Sequence, residues 1–136
     1  IDINGQKLNI CGISDPDCMK YTDNNYSIEE QLADVGNASE NGYYTILLAH
    51  RPELIKTYLN YDFNLILSGH AHGGQWRLPG VINGLYAPDQ GLFPRYAGGQ
   101  YSFEDSYMIV SRGLARESTR IPRIFNRPEL VIIDLL

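Results

Sequence analysis

Two stretches decide the fold: Tyr43-Tyr44-Thr45-Ile46-Leu47-Leu48-Ala49-His50 and Phe63-Asn64-Leu65-Ile66-Leu67-Ser68-Gly69-His70-Ala71-His72. Each is a short apolar run that ends on histidine, and such runs bounded by turn residues mark strands buried on both faces. Between them, Arg51-Pro52-Glu53 opens a helix with proline at a tolerated first-turn position. Leu54, Ile55, Tyr58 and Leu59 give that helix an apolar stripe. Strand, helix and strand in such quick succession predict a βαβ unit with parallel strands and a right-handed crossover. Its two strand ends then share one edge of the sheet, which places His50 beside His70 and His72. Ligands bind at that edge in parallel α/β sheets, and neutral imidazole is the commonest metal ligand. The chain has no other histidine.

Upstream, Ile1-Asp2-Ile3 and Lys7 to Ile13 flank Asn4-Gly5, a strong two-residue hairpin signal. A polar loop from Ser14 to Asn25 follows. Ser27-Ile28-Glu29-Glu30 has capping-box spacing, and Ile28, Leu32 and Val35 keep helical period as far as Gly36, a stop signal. Downstream, residues 73–100 are rich in glycine and carry Pro79, Pro88 and Pro94 among aromatics, the texture of functional loops. Residues 101–111 and 129–136 read as two further strands, with Arg123-Ile124-Phe125 as a short third. The fold class is α/β.

A chain of 136 residues suffices for a domain with its own core, and 43 % hydrophobic with 20 % charged residues is an ordinary globular composition. No apolar stretch approaches the ~20 residues of a membrane-spanning helix. The chain begins at Ile1 without a methionine or a basic-then-apolar leader, and the expectation is a section cut from a longer protein, its compartment unknown. Cys11 and Cys18 have neither zinc-finger spacing nor the density of a disulfide scaffold, and read as free thiols. A net charge of −5 argues against sequence-independent binding of nucleic acid. The arginines Arg112, Arg116, Arg120, Arg123 and Arg127 face one acid, Glu117. Such a run is ordinarily a solvated face; anion binding is the minority reading, favoured by the planar guanidinium fork.

Histidines two apart in extended backbone point to the same side, with Cα atoms roughly 6.6 Å apart. That spacing chelates one ion, or sets one imidazole on each of two ions ~3.5–4 Å apart. Spacing alone leaves both open, as it does a mononuclear three-histidine zinc site. Gly69, Gly73 and Gly74 remove side-chain bulk so that backbone and substrate can approach closely. The bland alternative makes His50 a satisfied core histidine and His70 and His72 surface loop residues. Three such residues at strand ends beside glycines favour the metal.

Gly69-His70-Ala71-His72-Gly73-Gly74-Gln75, preceded by Leu48-Ala49-His50-Arg51-Pro52, resembles the C-terminal half of calcineurin-like metallophosphoesterases. It is most similar to the bacterial branch with Gly-His-Thr-His-Gly-Gly-Gln. Tyr86-Ala87-Pro88, Gly91-Leu92-Phe93-Pro94-Arg95-Tyr96, Ser111-Arg112-Gly113-Leu114 and Ile124-Phe125-Asn126-Arg127-Pro128-Glu129-Leu130 extend the match. Ala71 replaces the usual threonine, and Ala115 stands where glycine is common; neither position is a ligand.

The resemblance implies the C-terminal half of a four-layer α/β/β/α sandwich, residues 1–136 forming a single partial domain. It also implies two divalent ions, Mn, Fe or Zn, the equivalents of His50 and His70 on one and that of His72 on the other. Gly73, Gly74 and Arg112 are the expected substrate-binding residues. The substrate would be a phosphorylated small molecule or a lipid-linked phosphate, hydrolysed by a metal-activated water. The family's Asp-x-His, Gly-Asp-x-x-Asp and Gly-Asn-His motifs are not in this sequence, so no catalytic residue is assigned. The expectation is a chain inactive by itself, holding one ion weakly or none, and forming a homodimer through the uncovered sheet. The alternative class is a non-catalytic interaction or regulatory domain that keeps the fold.

Overall fold

The computed structural model describes residues 1–19, 21, 26–114 and 122–135. It divides into two compact units, Ile1–Ser68 with Gln100–Ile109, and Gly69–Gly99 with Val110–Leu136.

In the first unit, β1 (Asp2–Ile3) and β2 (Gln6–Gly12) pair antiparallel across Asn4-Gly5. Both turn residues have left-handed φ, 53° and 85°, as the primed hairpin turns require. After α1 (Pro16–Met19), α2 (Ile28–Val35) starts at the expected capping box, with Ser27 and Glu30 bonded reciprocally. Gly36 ends it at φ 76°, its N–H bonded to the Leu32 carbonyl. Next come β3 (Tyr44–Leu48) and β4 (Leu65–Ser68), parallel in the register Ile46↔Leu65 to Leu48↔Leu67. The predicted βαβ unit is therefore present. Its crossover is one α-helical turn, α3 (Ile55–Tyr58), between 3₁₀ turns at Pro52–Leu54 and Leu59–Tyr61, rather than a continuous helix. Asp62 at φ 54° turns the chain back toward β4.

β2 is also parallel to β3, with Leu8 opposite Tyr44 and Gly12 opposite Leu48. In β3, Thr45 and Leu47 on one face are wholly buried, while on the other Tyr44 and Leu48 are half exposed and Ile46 between them is buried. Ile28, Leu32, Ile55, Tyr58, Phe63 and Ile66 complete the core of this unit.

In the second unit, β5 (Tyr86–Ala87) and β6 (Gly91–Leu92) form a small antiparallel ladder. Glycine makes this loop-built unit possible: a Cβ on Gly74 would overlap the Cα of Gly84. In the first unit, which takes in Gln100–Ile109, the expected single strand over 101–111 is two strands, β7 (Gly99–Phe103) and β8 (Ser106–Val110), broken at Glu104-Asp105. They extend the sheet to the order β1-β2-β3-β4-β8-β7. The predicted short strand at 123–125 shrinks to one bridge, Trp76 with Ile124. Residues 129–135 form no strand, correcting the expectation for 129–136. Apolar alternation there lacks a partner ladder, and β-propensity counts only with pairing and burial. No helix among the described residues is long and apolar enough to cross a membrane.

Candidate metal centre

His50 belongs to the first unit and follows β3 by two residues, exposed. The neighbouring Arg51 is the anchor of this corner. Its Nε donates to Asp15 Oδ2 at 3.0 Å and its Nη2 to Asp17 Oδ2 at 2.6 Å, while its carbonyl accepts from the Tyr58 hydroxyl at 2.9 Å. The β2 exit loop is thereby tied to the β3 exit, and Asp15 lies within 4.8 Å of a His50 ring nitrogen. Burial would raise the Asp15 carboxyl. Hydrogen bonds from Arg51 and the Asp17 N–H, with the charges of Arg51 and His50, outweigh it and hold the pKa below the ordinary aspartate value. Asp15 is an ionised carboxylate beside an imidazole. Nothing in its own polar loop marks it as a ligand, although it follows a strand parallel to β3 and so leaves the sheet at the same edge.

His70 and His72 belong to the second unit. Their backbone corrects one expectation: both have left-handed φ, 61° and 48°, rather than the extended conformation. The strand stops at Ser68, and a tight turn of left-handed backbone over His72–Gly74 follows. Left-handed backbone costs an L-residue roughly 1–2 kcal/mol, so tertiary contacts must hold this loop. His70 Nε2 lies 2.7 Å from Asp89 Oδ2. Asp89 also has positive φ, 56°, in the turn between β5 and β6. A carboxylate against an imidazole fixes the ring's orientation, and nothing in the spacing of residues 70 and 89 announced it.

Gly73 and Gly74 are buried, and a Cβ on Gly73 would overlap the Asn126 amide. Gln75, at 1 % exposure, has neither amide atom hydrogen-bonded among the described residues. Arg112 is paired: its Nη2 meets Glu129 Oε1 at 2.7 Å, and its backbone N–H reaches the other carboxylate oxygen at 3.3 Å. These hydrogen bonds outweigh burial and hold Glu129 below the usual carboxylate range. Arg123 donates to the Arg112 carbonyl at 2.6 Å, and burial together with the Arg112 charge lowers its pKa. Arg112 and Arg123 are thus internal braces, in contrast to the solvated face that charge spacing favours. Arg116, Arg120, Glu117 and Ala115 lie outside the described residues.

Cys11 and Cys18 are free thiols, as expected, and burial raises the pKa of Cys11. A concavity in the first unit, lined by Tyr43, Tyr44, Asp62 and Asp105, lies where β3 and β4 begin, at the strand ends away from His50.

The chain is 37 % identical over 93 residues to YkuE, a metallophosphoesterase of Bacillus subtilis, covering 68 % of this chain and 31 % of that protein. It is 31 % identical over 99 residues to the phosphodiesterase YaeI of Escherichia coli, 73 % of this chain and 35 % of YaeI. With the UDP-2,3-diacylglucosamine pyrophosphatase LpxG of Chlamydia muridarum it shares 34 % over 96 residues, 67 % of this chain and 29 % of LpxG. The chain spans about a third of the length of these curated relatives. No family model matches it, and neither does any solved structure. Parallel strands leading into His50 and into His70-Ala71-His72, together with homology to proteins of one kind, lead to one conclusion: the chain belongs to the calcineurin-like metallophosphoesterase family.

Proposed function

We propose that this chain is part of a metal-dependent phosphohydrolase that cleaves a phosphoester or pyrophosphate bond, with His50, His70 and His72 among its metal ligands. One observation carries the reading: two adjacent parallel strands, each followed two residues later by histidine, in a chain homologous to metallophosphoesterases. The donors fit divalent ions. Asp15 stands near His50 and Asp89 against His70, and imidazole with carboxylate suits Mn, Fe or Zn. The chemistry that two divalent ions supply in such enzymes is neutralisation of phosphoryl charge and a lowered pKa for the attacking water.

The chain's own residues do the rest. Asp15 stays ionised because Arg51 holds it, and Asp89 fixes the His70 ring. Gly73 and Gly74 keep side-chain bulk out of the loop, so that substrate can approach its backbone. Arg112, steadied by Glu129, has further N–H donors to offer a phosphoryl oxygen. A phosphorylated small molecule or a lipid-linked phosphate is the substrate class, supported by the relatives LpxG, a UDP-2,3-diacylglucosamine pyrophosphatase, and YaeI, a phosphodiesterase. The net charge of −5 disfavours nucleic acid.

By itself the 136-residue chain is inactive and holds at most one ion, weakly, since the motifs for the bridging carboxylate and the catalytic histidine are not in its sequence. A second copy covers the half-exposed sheet face of β2 and β3. With manganese and 4-nitrophenyl phosphate the isolated chain is expected to show no turnover above buffer; robust turnover that His70→Ala abolishes would overturn the inactivity. One tightly held zinc per chain after dialysis would overturn the two-ion reading in favour of a mononuclear site.

A further inference from the structure

We infer that Asn126 is a positioning residue for His72, its side-chain amide clamping the turn from which the imidazole projects. The inference rests on reading His72 as a metal ligand. Asn126 is 3 % exposed, and its Nδ2 donates to two carbonyls at once, His72 at 2.7 Å and Gln75 at 3.1 Å. Those two carbonyls bracket a turn in which all four residues have positive φ: His72 48°, Gly73 65°, Gly74 67° and Gln75 56°. Two are not glycine, so the conformation is unfavourable locally and has to be held from outside.

The amide does this from a segment 54 residues further along the chain. Its own place is fixed by the Ile124 N–H bonded to the Gln75 carbonyl at 3.1 Å and the Arg77 N–H bonded to the Ile124 carbonyl at 3.0 Å. The close fit explains Gly73: a Cβ there would overlap the Asn126 amide oxygen. The motif Ile124 to Leu130 thus acquires a function. Asn126 braces the His72 turn, and three residues later Glu129 braces Arg112.

Cobalt(II) titration of the 136-residue chain, followed by its visible absorption, tests the inference on the unsubstituted chain and four variants. Asn126→Ala and Asn126→Asp, the second keeping the side chain's shape but not its donors, are expected to weaken cobalt binding about ten- to a hundredfold. His72→Ala should weaken it at least as much. Leu32→Ala, a core change in the first unit, should lower the melting temperature and leave cobalt affinity within about twofold. Unchanged affinity in both Asn126 variants, with loss in His72→Ala, overturns the positioning role alone. Equal loss in Leu32→Ala makes Asn126 merely structural and overturns it too. Unchanged binding in His72→Ala overturns His72 as a ligand of the ion this chain holds, and the inference with it; no cobalt spectrum in the unsubstituted chain overturns the inference while agreeing with a chain that holds no ion by itself.

Discussion

At the scale of single residues, the structure shows why carboxylates decide what histidine and arginine can do here. Glu129 is held ionised by Arg112, both side chains about a quarter exposed. Because its folded pKa lies below the ordinary value of 4.5, the unfolded chain binds more protons in between, and stability rises with pH there. The contribution is complete above the unfolded pKa and is lost as pH falls through the folded one. Glu129→Gln should therefore lower stability by roughly 1 kcal/mol at pH 7, with the gap to the unsubstituted chain closing toward pH 3. Thermal melts across that range check the sign. The histidines were legible because strand ends and glycines frame them. Asp15 and Asp89 were not: an aspartate in a polar loop looks the same whether it faces water or an imidazole.

At the scale of elements, local chemistry was a good guide wherever the decisive partners lie within a few residues. Asn4-Gly5 makes its hairpin and Ser27 with Glu30 its capping box, because both are short-range hydrogen-bond problems. Ser27→Ala should destabilise the chain by about 1 kcal/mol, read as a shift in urea midpoint at constant slope; no shift would mean α2 is held by its buried Ile28 and Leu32 alone. Elements that depend on distant partners were read less well. The apolar alternation of residues 129–136 finds no neighbouring strand among the described residues, and 101–111 breaks into a hairpin at Glu104-Asp105. The loop at His70 and His72 has the same lesson. Its left-handed backbone is sustained by residues as far away as Asn126, which no local pattern encodes.

At the scale of the whole molecule, the sheet presents an apolar face that this chain leaves half open. Ile10, Tyr44 and Leu48 are each between 41 % and 46 % exposed, and Ile10 stands opposite Ile46 in the parallel ladder. If a second copy covers that face, sedimentation at micromolar concentration should show dimer. Ile10→Lys should weaken it at least about tenfold, the loss expected from failing to bury one large aliphatic side chain. A clean monomer in the unsubstituted chain would rule the dimer out.

The parallel strands, their order around the crossover and the histidine endings can all be read along the chain, because period, turn chemistry and short connections fix these without reference to anything remote. The sequence also carries the family resemblance, through motifs that survive as contiguous words. Folding in three dimensions settles which carboxylates stand beside the imidazoles, why Gly73 and Gly74 must be glycine, and that Arg112 and Arg123 brace the fold. Those outcomes depend on side chains from remote positions meeting at hydrogen-bonding distance, and burial then sets their ionisation and their room.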